Sequence, residues 1–95
     1  MARRRHLIAY DIADPKRLRN ICKLMEDFGQ RLQYSVFLCD LSAGELAELE
    51  AAAKEIMHLR DDSIIEIDLG PTSSPAHIRS IGRAREVPGS GSQIV

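Results

Sequence analysis

The stretch LIAYDIADPKRLRNICKLMEDFG, residues 7–29, decides the fold because it contains a complete connection from a strand to a helix. From Arg5 to Ile12 the apolar residues occupy both parities, which predicts a strand buried on both sides. Asp14 is a favourable N-cap, Pro15 suits the first helical position, and apolar residues then recur at helical spacing until Gly29. The chain therefore starts with a buried strand and an amphipathic helix.

The residues that follow alternate between apolar and polar from Arg31 to Asp40. Alternation of this kind predicts β-structure. One long strand would fit, but we favour two short strands bent near Tyr34 and Ser35. In this interpretation Phe37 and Cys39 lie on the sheet face that the helices do not cover.

A second helix and further strands are indicated in the rest of the chain. Ser42 and Glu45 match a capping box, which predicts a helix ending at about residue 59. The next strand is expected over Ser63–Leu69, ended by the Gly-Pro pair that follows, and a short strand is expected at His77–Ile81.

The order βαββαβ predicts an α+β fold, a ferredoxin-like sandwich with an extra C-terminal strand. We assign residues 1–82 to this domain and residues 83–95 to a tail with a flexible linker, which we expect to pack on the partner subunit. Two helices cover one face of such a sheet only. The other face is apolar, so we predict a homodimer formed through it.

Composition limits the classes of function. The chain has 95 residues, 44% of them hydrophobic, and a net charge of −1. The charge is +4 over residues 1–31, −7 over 32–68 and +2 over 69–95, so nucleic-acid binding by a basic stripe stays possible. The run Arg3–Arg5 is explained equally well as solvated surface. We find no secretion signal or membrane span, and two cysteines without metal-ligand spacing suggest the reducing cytoplasm.

Asp11 is the residue that points to chemistry, because a carboxylate at the end of a buried strand is costly unless it is paired or holds a metal. Lys16, Arg17 and Arg19 follow it closely, as expected where a metal site faces phosphate. The alternative is structural, since Asp is common at strand ends and before helices. The three histidines lack ligand spacing, and Cys22 lies on an apolar helix stripe, so both favour packing or surface positions over catalysis.

Several segments, taken together, resemble the small CRISPR-associated endoribonucleases of the spacer-acquisition machinery. The segments that carry this resemblance are LIAYDI at residues 7–12, the basic start of the first helix, DFG at 27–29, RLQYSVF at 31–37 and DDSI at 61–64. Their order and spacing fit over roughly residues 5–70, whereas residues 71–95 fit less well.

The resemblance implies a ferredoxin-like homodimer that uses Mg²⁺ to cleave single-stranded RNA, or in some members double-stranded DNA, and that works with the CRISPR integrase. It implies that Asp11 is the catalytic and metal-binding residue. It places Tyr10, Arg31 and Phe37 near the substrate, with Arg17 and Arg19 as the corresponding basic residues of the first helix. The two aromatic side chains could stack on bases or only support the core.

Two functions remain open at this stage. The first is a Mg²⁺-dependent endonuclease in which two Asp11 carboxylates approach each other across the dimer axis, because one carboxylate is a poor ligand set. The second is a non-catalytic dimeric adaptor that bridges integrase dimers and binds protospacer DNA through its arginines. An RNA-recognition sheet is disfavoured, since no motif combining Gly with aromatic residues occurs.

Overall fold

The structure, a computed structural model, describes residues 2–74, 76–83 and the backbone of 92–94, and these residues form six strands and two helices. The elements are β1 (Arg4–Asp11), α1 (Pro15–Phe28), β2 (Gln30–Gln33), β3 (Val36–Leu41), α2 (Ala43–Ile56), β4 (Ser63–Pro71), β5 (Ile78–Ser80) and β6 (Ser92–Ile94). In the described part of the chain, no helix is long and apolar enough to cross a bilayer.

The main sheet is antiparallel, with strand order β2-β3-β1-β4. Both helices pack on one face of it, and their apolar side chains form a single core with those of β1 and β3. This arrangement is the ferredoxin-like α+β fold that the element order predicts. The bend between β2 and β3 also lies where it was expected, in a turn at Tyr34 and Ser35.

Local signals bound α1 at both ends. The Asp14 carboxylate accepts a hydrogen bond from the Arg17 backbone N–H at 2.9 Å, which satisfies one of the free donors of the first turn. At the other end Gly29 has an extended conformation. A Cβ at this position would overlap the Leu38 carbonyl oxygen and Cys39 Sγ, so a side chain is excluded by the close approach of β3.

The assignment of Phe37 and Cys39 to the uncovered face is wrong. Both side chains are completely buried, and Phe37 pairs in register with Ile8, whose side chain also faces the helices. The turn before Val36 sets the parity of β3, because a shift of one residue moves every side chain to the opposite face.

The face of the main sheet opposite the helices, here called the outer face, is apolar as predicted but has a different composition. The pairing of β1 with β3 and β4 places on it the apolar residues Leu7, Ala9, Val36, Leu38, Ile65 and Ile67, together with Asp11 and the ion pair of Arg5 with Asp40. Ile65 is 59% exposed and Ile67 is 48% exposed. The β4 side of the outer face is therefore open in this chain.

The second helix is shorter than predicted. It begins at the expected capping box of Ser42 and Glu45 but ends at Ile56, not at residue 59. The Asp62 carboxylate accepts a hydrogen bond from the His58 backbone N–H at 2.9 Å, which holds the chain in a turn after Met57. Leu59 consequently leaves the apolar stripe and is 69% exposed.

β4 runs two residues beyond the predicted end, through Pro71. Its register against β1 shifts between the pairs Arg4 with Pro71 and His6 with Asp68, so two residues of β4 oppose Arg5. Gly70 lies in this bulge with φ +98°, a conformation that other residues rarely adopt.

The predicted short strand after residue 76 is present as β5, and β6 pairs with it in parallel within the same chain. Cavities separate β5 from β2, and one of them is also lined by Leu7 and Val36 of the outer face. Residues 84–91, which include most of the flexible linker predicted within the 83–95 tail, lie outside the described residues. The division at residue 82 and the packing of the tail on a partner subunit stay predictions.

Candidate functional site

Asp11 is the last residue of β1, and its carboxylate is exposed at the end of the outer face. It pairs in register with Ser63 of β4. Among the described residues nothing forms a hydrogen bond or ion pair with this carboxylate. The strand therefore presents a charged group to solvent without using it to hold the fold.

Asp62, one residue before β4, has the opposite environment because its side chain is completely buried. Both carboxylate oxygens accept hydrogen bonds: from the Ala13 N–H at 2.9 Å, from Arg17 Nε at 2.8 Å and Nη2 at 3.2 Å, and from the His58 N–H at 2.9 Å. The Arg17 guanidinium, with help from the two backbone donors, holds the pKa of Asp62 far below its usual range. Asp62 thus joins the start of α1 to the end of α2.

Arg17, one of the predicted phosphate-binding residues, is engaged in this ion pair. Arg19, the other predicted phosphate-binding residue of α1, is exposed and forms no ion pair within the described part of the chain. The structure therefore favours Arg19 over Arg17 as a cation available to a ligand.

A cavity of about 330 Å³ lies between α1 and β2, and Tyr10, Arg19, Cys22, Arg31 and Tyr34 are among the residues that line it. The Tyr10 hydroxyl donates a hydrogen bond to the Tyr34 carbonyl oxygen at 3.3 Å. Burial, together with the Cys22 thiol, raises the pKa of Tyr10, so this phenol stays protonated. Tyr10 is only 6% exposed, which favours a supporting role for its ring.

Contacts with one thiol and two aromatic rings hold the Arg31 side chain in position. Its Nη2 donates to Cys22 Sγ, and its guanidinium carbon lies 5.5 Å from the Phe37 ring centroid and 6.0 Å from that of Tyr34. Cation–π contacts of this kind fix a guanidinium without neutralising its charge. Arg31 therefore keeps its positive charge available in a defined position.

The predicted contact between Phe37 and nucleic acid is not supported as a direct contact. The ring is completely buried and stacks on Tyr10, with 6.2 Å between the ring centroids. A base has no access to a ring in this position, so the alternative of core packing explains Phe37. Its influence on a ligand would pass through Arg31.

The structure thus brings Tyr10, Arg19 and Arg31 together around one cavity, with Phe37 behind them. Asp11 does not belong to this group, because successive residues of a strand point to opposite faces and Tyr10 faces the helices. The predicted site residues are therefore divided between the two faces of the sheet.

Sequence reasoning missed Tyr34 and the residues of β5 that lie opposite it. Tyr34 is 70% exposed. A second cavity, of about 710 Å³ and here called the β2–β5 groove, is lined by Arg31, Leu32, Gln33, Tyr34, Arg79, Ser80, Ile81 and Arg83. The turn predicted at Tyr34 was a usable signal, because turns place side chains at the surface.

The arginines at the start of the chain do not add to this basic surface. Arg3 pairs with Glu45, Arg4 with Asp68 and Arg5 with Asp40. The Arg5 guanidinium beside Asp40 lowers the pKa of that carboxyl group. The three arginines are therefore neither a free basic patch nor simply solvated, because their ion pairs connect this part of the chain to α2, β4 and β3.

Comparison with known proteins agrees with this fold. The family model described as CRISPR associated protein Cas2 matches residues 4–74. This chain is a member of the Cas2 family. A relative from Rhodospirillum rubrum, named CRISPR-associated endoribonuclease Cas2 1, is 37% identical over 82 residues, which cover 85% of this chain and 80% of the relative.

Solved structures are similar to this chain in fold. Cas2 of Streptococcus pyogenes, crystallised at pH 6.5, superposes with a TM-score of 0.63 at 35% identity, covering 66% of this chain and 82% of that one. A hypothetical protein of Thermus thermophilus superposes with a TM-score of 0.69 at 28% identity and covers 94% of both chains.

The donor set of this Cas2-family chain limits the kind of metal it can bind. No group of three or more His, Cys, Asp or Glu side chains with the geometry to hold an ion occurs in the part of the chain that the structure describes. Asp11 offers one exposed carboxylate. A single carboxylate suits Mg²⁺, which keeps most of its waters, and does not suit a zinc centre with four protein ligands.

Proposed function

We propose that this Cas2-family chain is a Mg²⁺-dependent endonuclease that cleaves single-stranded RNA, with double-stranded DNA as a second substrate. The observation that carries the proposal is the exposed carboxylate of Asp11 at the end of β1, which has no partner among the described residues. The names of the relatives support nuclease activity, since the Rhodospirillum rubrum protein and another from Geobacter sulfurreducens are called endoribonucleases.

The active unit in this proposal is a homodimer formed through the outer face. Ile65 is 59% exposed and Ile67 is 48% exposed on a largely apolar surface, and covering them would recover roughly 25 cal/mol for each Å² of apolar surface removed from water. Asp11 shares this face. A twofold axis across it would bring two Asp11 carboxylates toward one cleft, which compensates for the poor ligand set of a single chain.

In the proposed mechanism Asp11 binds the metal and the arginines bind the substrate. Mg²⁺, when bound, supplies charge neutralisation at the phosphate and an activated water. The Asp11 oxygens would hold the hydrated ion, and their exposure would leave room for its waters and for a phosphate. Arg19 and Arg31 orient the nucleic acid, because neither is neutralised by a carboxylate among the described residues.

The second candidate is a non-catalytic adaptor that bridges CRISPR integrase dimers and binds protospacer DNA, and the single carboxylate of each chain favours it. In either function we expect the protein to take part in spacer integration in the cytoplasm. The acidic segment of residues 32–68, with a charge of −7, would suit a basic integrase surface.

Substitution of Asp11 distinguishes the two candidate functions. Asp11→Asn and Asp11→Ala are compared with the wild type on labelled RNA and DNA, with Mg²⁺ and with EDTA, alongside a spacer-acquisition assay. Asp27→Asn is the matched control, because Asp27 is also exposed but lies at the end of α1. Loss of cleavage in both Asp11 variants supports the nuclease. Cleavage that survives either one rejects it, and acquisition that survives both favours the adaptor.

The dimer is tested by Ile65→Glu, which places a charge on the outer face. Light scattering after size exclusion should give twice the chain mass for the wild type and a monomer for the variant. Leu59→Glu is the control, because Leu59 is 69% exposed and follows α2, away from the outer face. A wild type that elutes as a monomer at micromolar concentration contradicts the dimer.

A further inference from the structure

The β2–β5 groove concentrates positive charge, and none of the described residues that line it is acidic. Arg31 of β2, Arg79 of β5 and Arg83 all line it. Unlike Arg3, Arg4 and Arg5, none of the three forms an ion pair within the described residues. Three uncompensated cations around one cavity favour an anionic ligand.

Two hydrogen-bonding atoms on these walls are left without partners. Arg31 Nε and Ser80 Oγ are the buried side-chain nitrogen and oxygen atoms of the described chain that form no hydrogen bond. A buried polar group without a partner costs about 1–3 kcal/mol, so such groups are uncommon unless a ligand or a water satisfies them. Both of these residues line the same groove, one from each side.

The position of Arg31 is fixed by groups that do not use its Nε. Cys22 Sγ accepts from Nη2, and the guanidinium lies over the Phe37 ring with 5.5 Å from its carbon to the ring centroid. The arginine is therefore ordered before a ligand arrives, which lowers the entropy cost of binding. A guanidinium Nε and a serine hydroxyl both donate hydrogen bonds to phosphate oxygens.

An exposed aromatic ring lies beside these donors. Tyr34 lines the groove, is 70% exposed, and has the Arg31 guanidinium carbon 6.0 Å from its ring centroid. A free phosphate ion has no surface that could stack on this ring. An unpaired base would, because stacking on an exposed tyrosine contributes about 1–3 kcal/mol per base.

We propose that the β2–β5 groove binds one unit of a single-stranded nucleic acid, with its phosphate on Arg31 Nε and Ser80 Oγ and its base stacked on Tyr34. Arg79 and Arg83 bind the neighbouring phosphates. The proposal rests on the nucleic-acid function proposed above and adds to it a binding subsite on a different part of the chain from Asp11. Tyr34, Ser80, Arg79 and Arg83 act in binding, not in catalysis.

The test measures binding separately from cleavage. Fluorescence anisotropy with a labelled single-stranded oligonucleotide is recorded in EDTA at several salt concentrations, for the full-length protein. We expect Tyr34→Leu to weaken binding about 5- to 100-fold, which corresponds to one lost stack. Ser80→Ala should weaken it several-fold, and the double variant Arg79→Gln with Arg83→Gln should lower the salt slope by roughly 1.4 for two lost phosphate contacts.

A control variant separates binding in the groove from a general charge effect. Arg60→Gln removes an exposed arginine outside the groove and should leave the affinity unchanged within about twofold. The assay contains EDTA and measures no cleavage, so failure of the nuclease and failure of the groove are separate results.

Three outcomes would overturn the proposal. The first is wild-type affinity in the Tyr34 and Ser80 variants with unchanged melting temperatures. The second is an equal loss on Arg60→Gln, which would show a diffuse charge effect. The third is equal binding of a blunt duplex with no effect of Tyr34→Leu, which would show that no base is stacked.

Discussion

Two aspartates at the junction of β1 and β4 have opposite environments. Asp11 pairs in register with Ser63, and Asp62 immediately precedes that serine. Asp11 is exposed and has no partner among the described residues, whereas Asp62 is buried and accepts four hydrogen bonds. A carboxylate whose oxygens are saturated belongs to the scaffold, and one whose oxygens are free is available to a ligand.

The strongest effect on the fold is expected for Asp62→Asn. The change leaves the Arg17 guanidinium without its charge partner and weakens the links to Ala13 and His58. We expect the melting temperature, followed by circular dichroism, to fall by on the order of 10 °C. Asp11→Asn is the control and should melt like the wild type. A melting temperature of Asp62→Asn within about 2 °C of the wild type would remove the distinction between the two residues.

The structural role of Asp62 should also appear as a loss of stability at low pH. The folded-state pKa of Asp62 lies below its unfolded value, because Arg17 and the backbone donors stabilise the charged form. Its contribution is therefore complete above the unfolded pKa of about 3.9 and is lost as the pH falls through the folded value. Urea unfolding from pH 6 to pH 3 should show a steep loss in the wild type and a shallower one in Asp62→Asn. Equal pH dependences would contradict this role.

Arg17 and Arg19 allow the comparison to be repeated with cations. Arg17→Gln removes the partner of Asp62 and should lower the melting temperature. Arg19→Gln should leave the melting temperature unchanged and weaken oligonucleotide binding several-fold, because Arg19 is exposed and unpaired within the described chain. The reverse pattern, with Arg17 decisive for binding alone, would show that its ion pair opens to receive phosphate.

The smallest expected effect concerns Glu66, whose side chain faces Glu50 and Lys54 across a cavity beside α2. Partial burial, followed by the nearby Glu50, raises the pKa of Glu66 to about 7. A raised folded pKa contributes stability below the unfolded value of about 4.3, and that stability is lost as the pH rises through about 7. Glu66→Gln should therefore be slightly more stable than the wild type at pH 8, by less than about 1 kcal/mol because the group is largely exposed. Chemical denaturation at pH 5 and pH 8 measures this difference, and a variant less stable at pH 8 would contradict it.

The fold could be predicted largely from local signals. Asp14, Pro15 and the capping box at Ser42 each specify a helix start through nearest neighbours, and these starts are confirmed. The end of α2 could not be predicted, since it depends on Asp62 reaching back to His58. The parity of Phe37 depends on how many residues the turn takes, which alternation alone does not reveal.

The candidate site was less predictable than the fold. Because Arg17 is close to Asp11 in sequence, the two were predicted to share one site. The Arg17 guanidinium instead forms an ion pair with Asp62, which is distant in sequence. The β2–β5 groove depends on where β5 lies relative to β2, and a short strand after a loop carries no signal for that placement. What the sequence does indicate is a carboxylate at the end of β1 and the alternation that separates it from Tyr10. The pattern of apolar residues predicted Asp11 on a strand buried on both sides, whereas the structure shows that Asp11 is exposed.

The most direct test of the role of Asp11 measures two properties of one preparation of Asp11→Asn: the melting temperature, and the rate of cleavage of labelled single-stranded RNA in Mg²⁺. We expect a melting temperature within about 2 °C of the wild type and a cleavage rate reduced by at least about 10²-fold. Wild-type cleavage by this variant, or a fall in rate matched by a fall in melting temperature, would contradict the claim that Asp11 serves chemistry and not the fold.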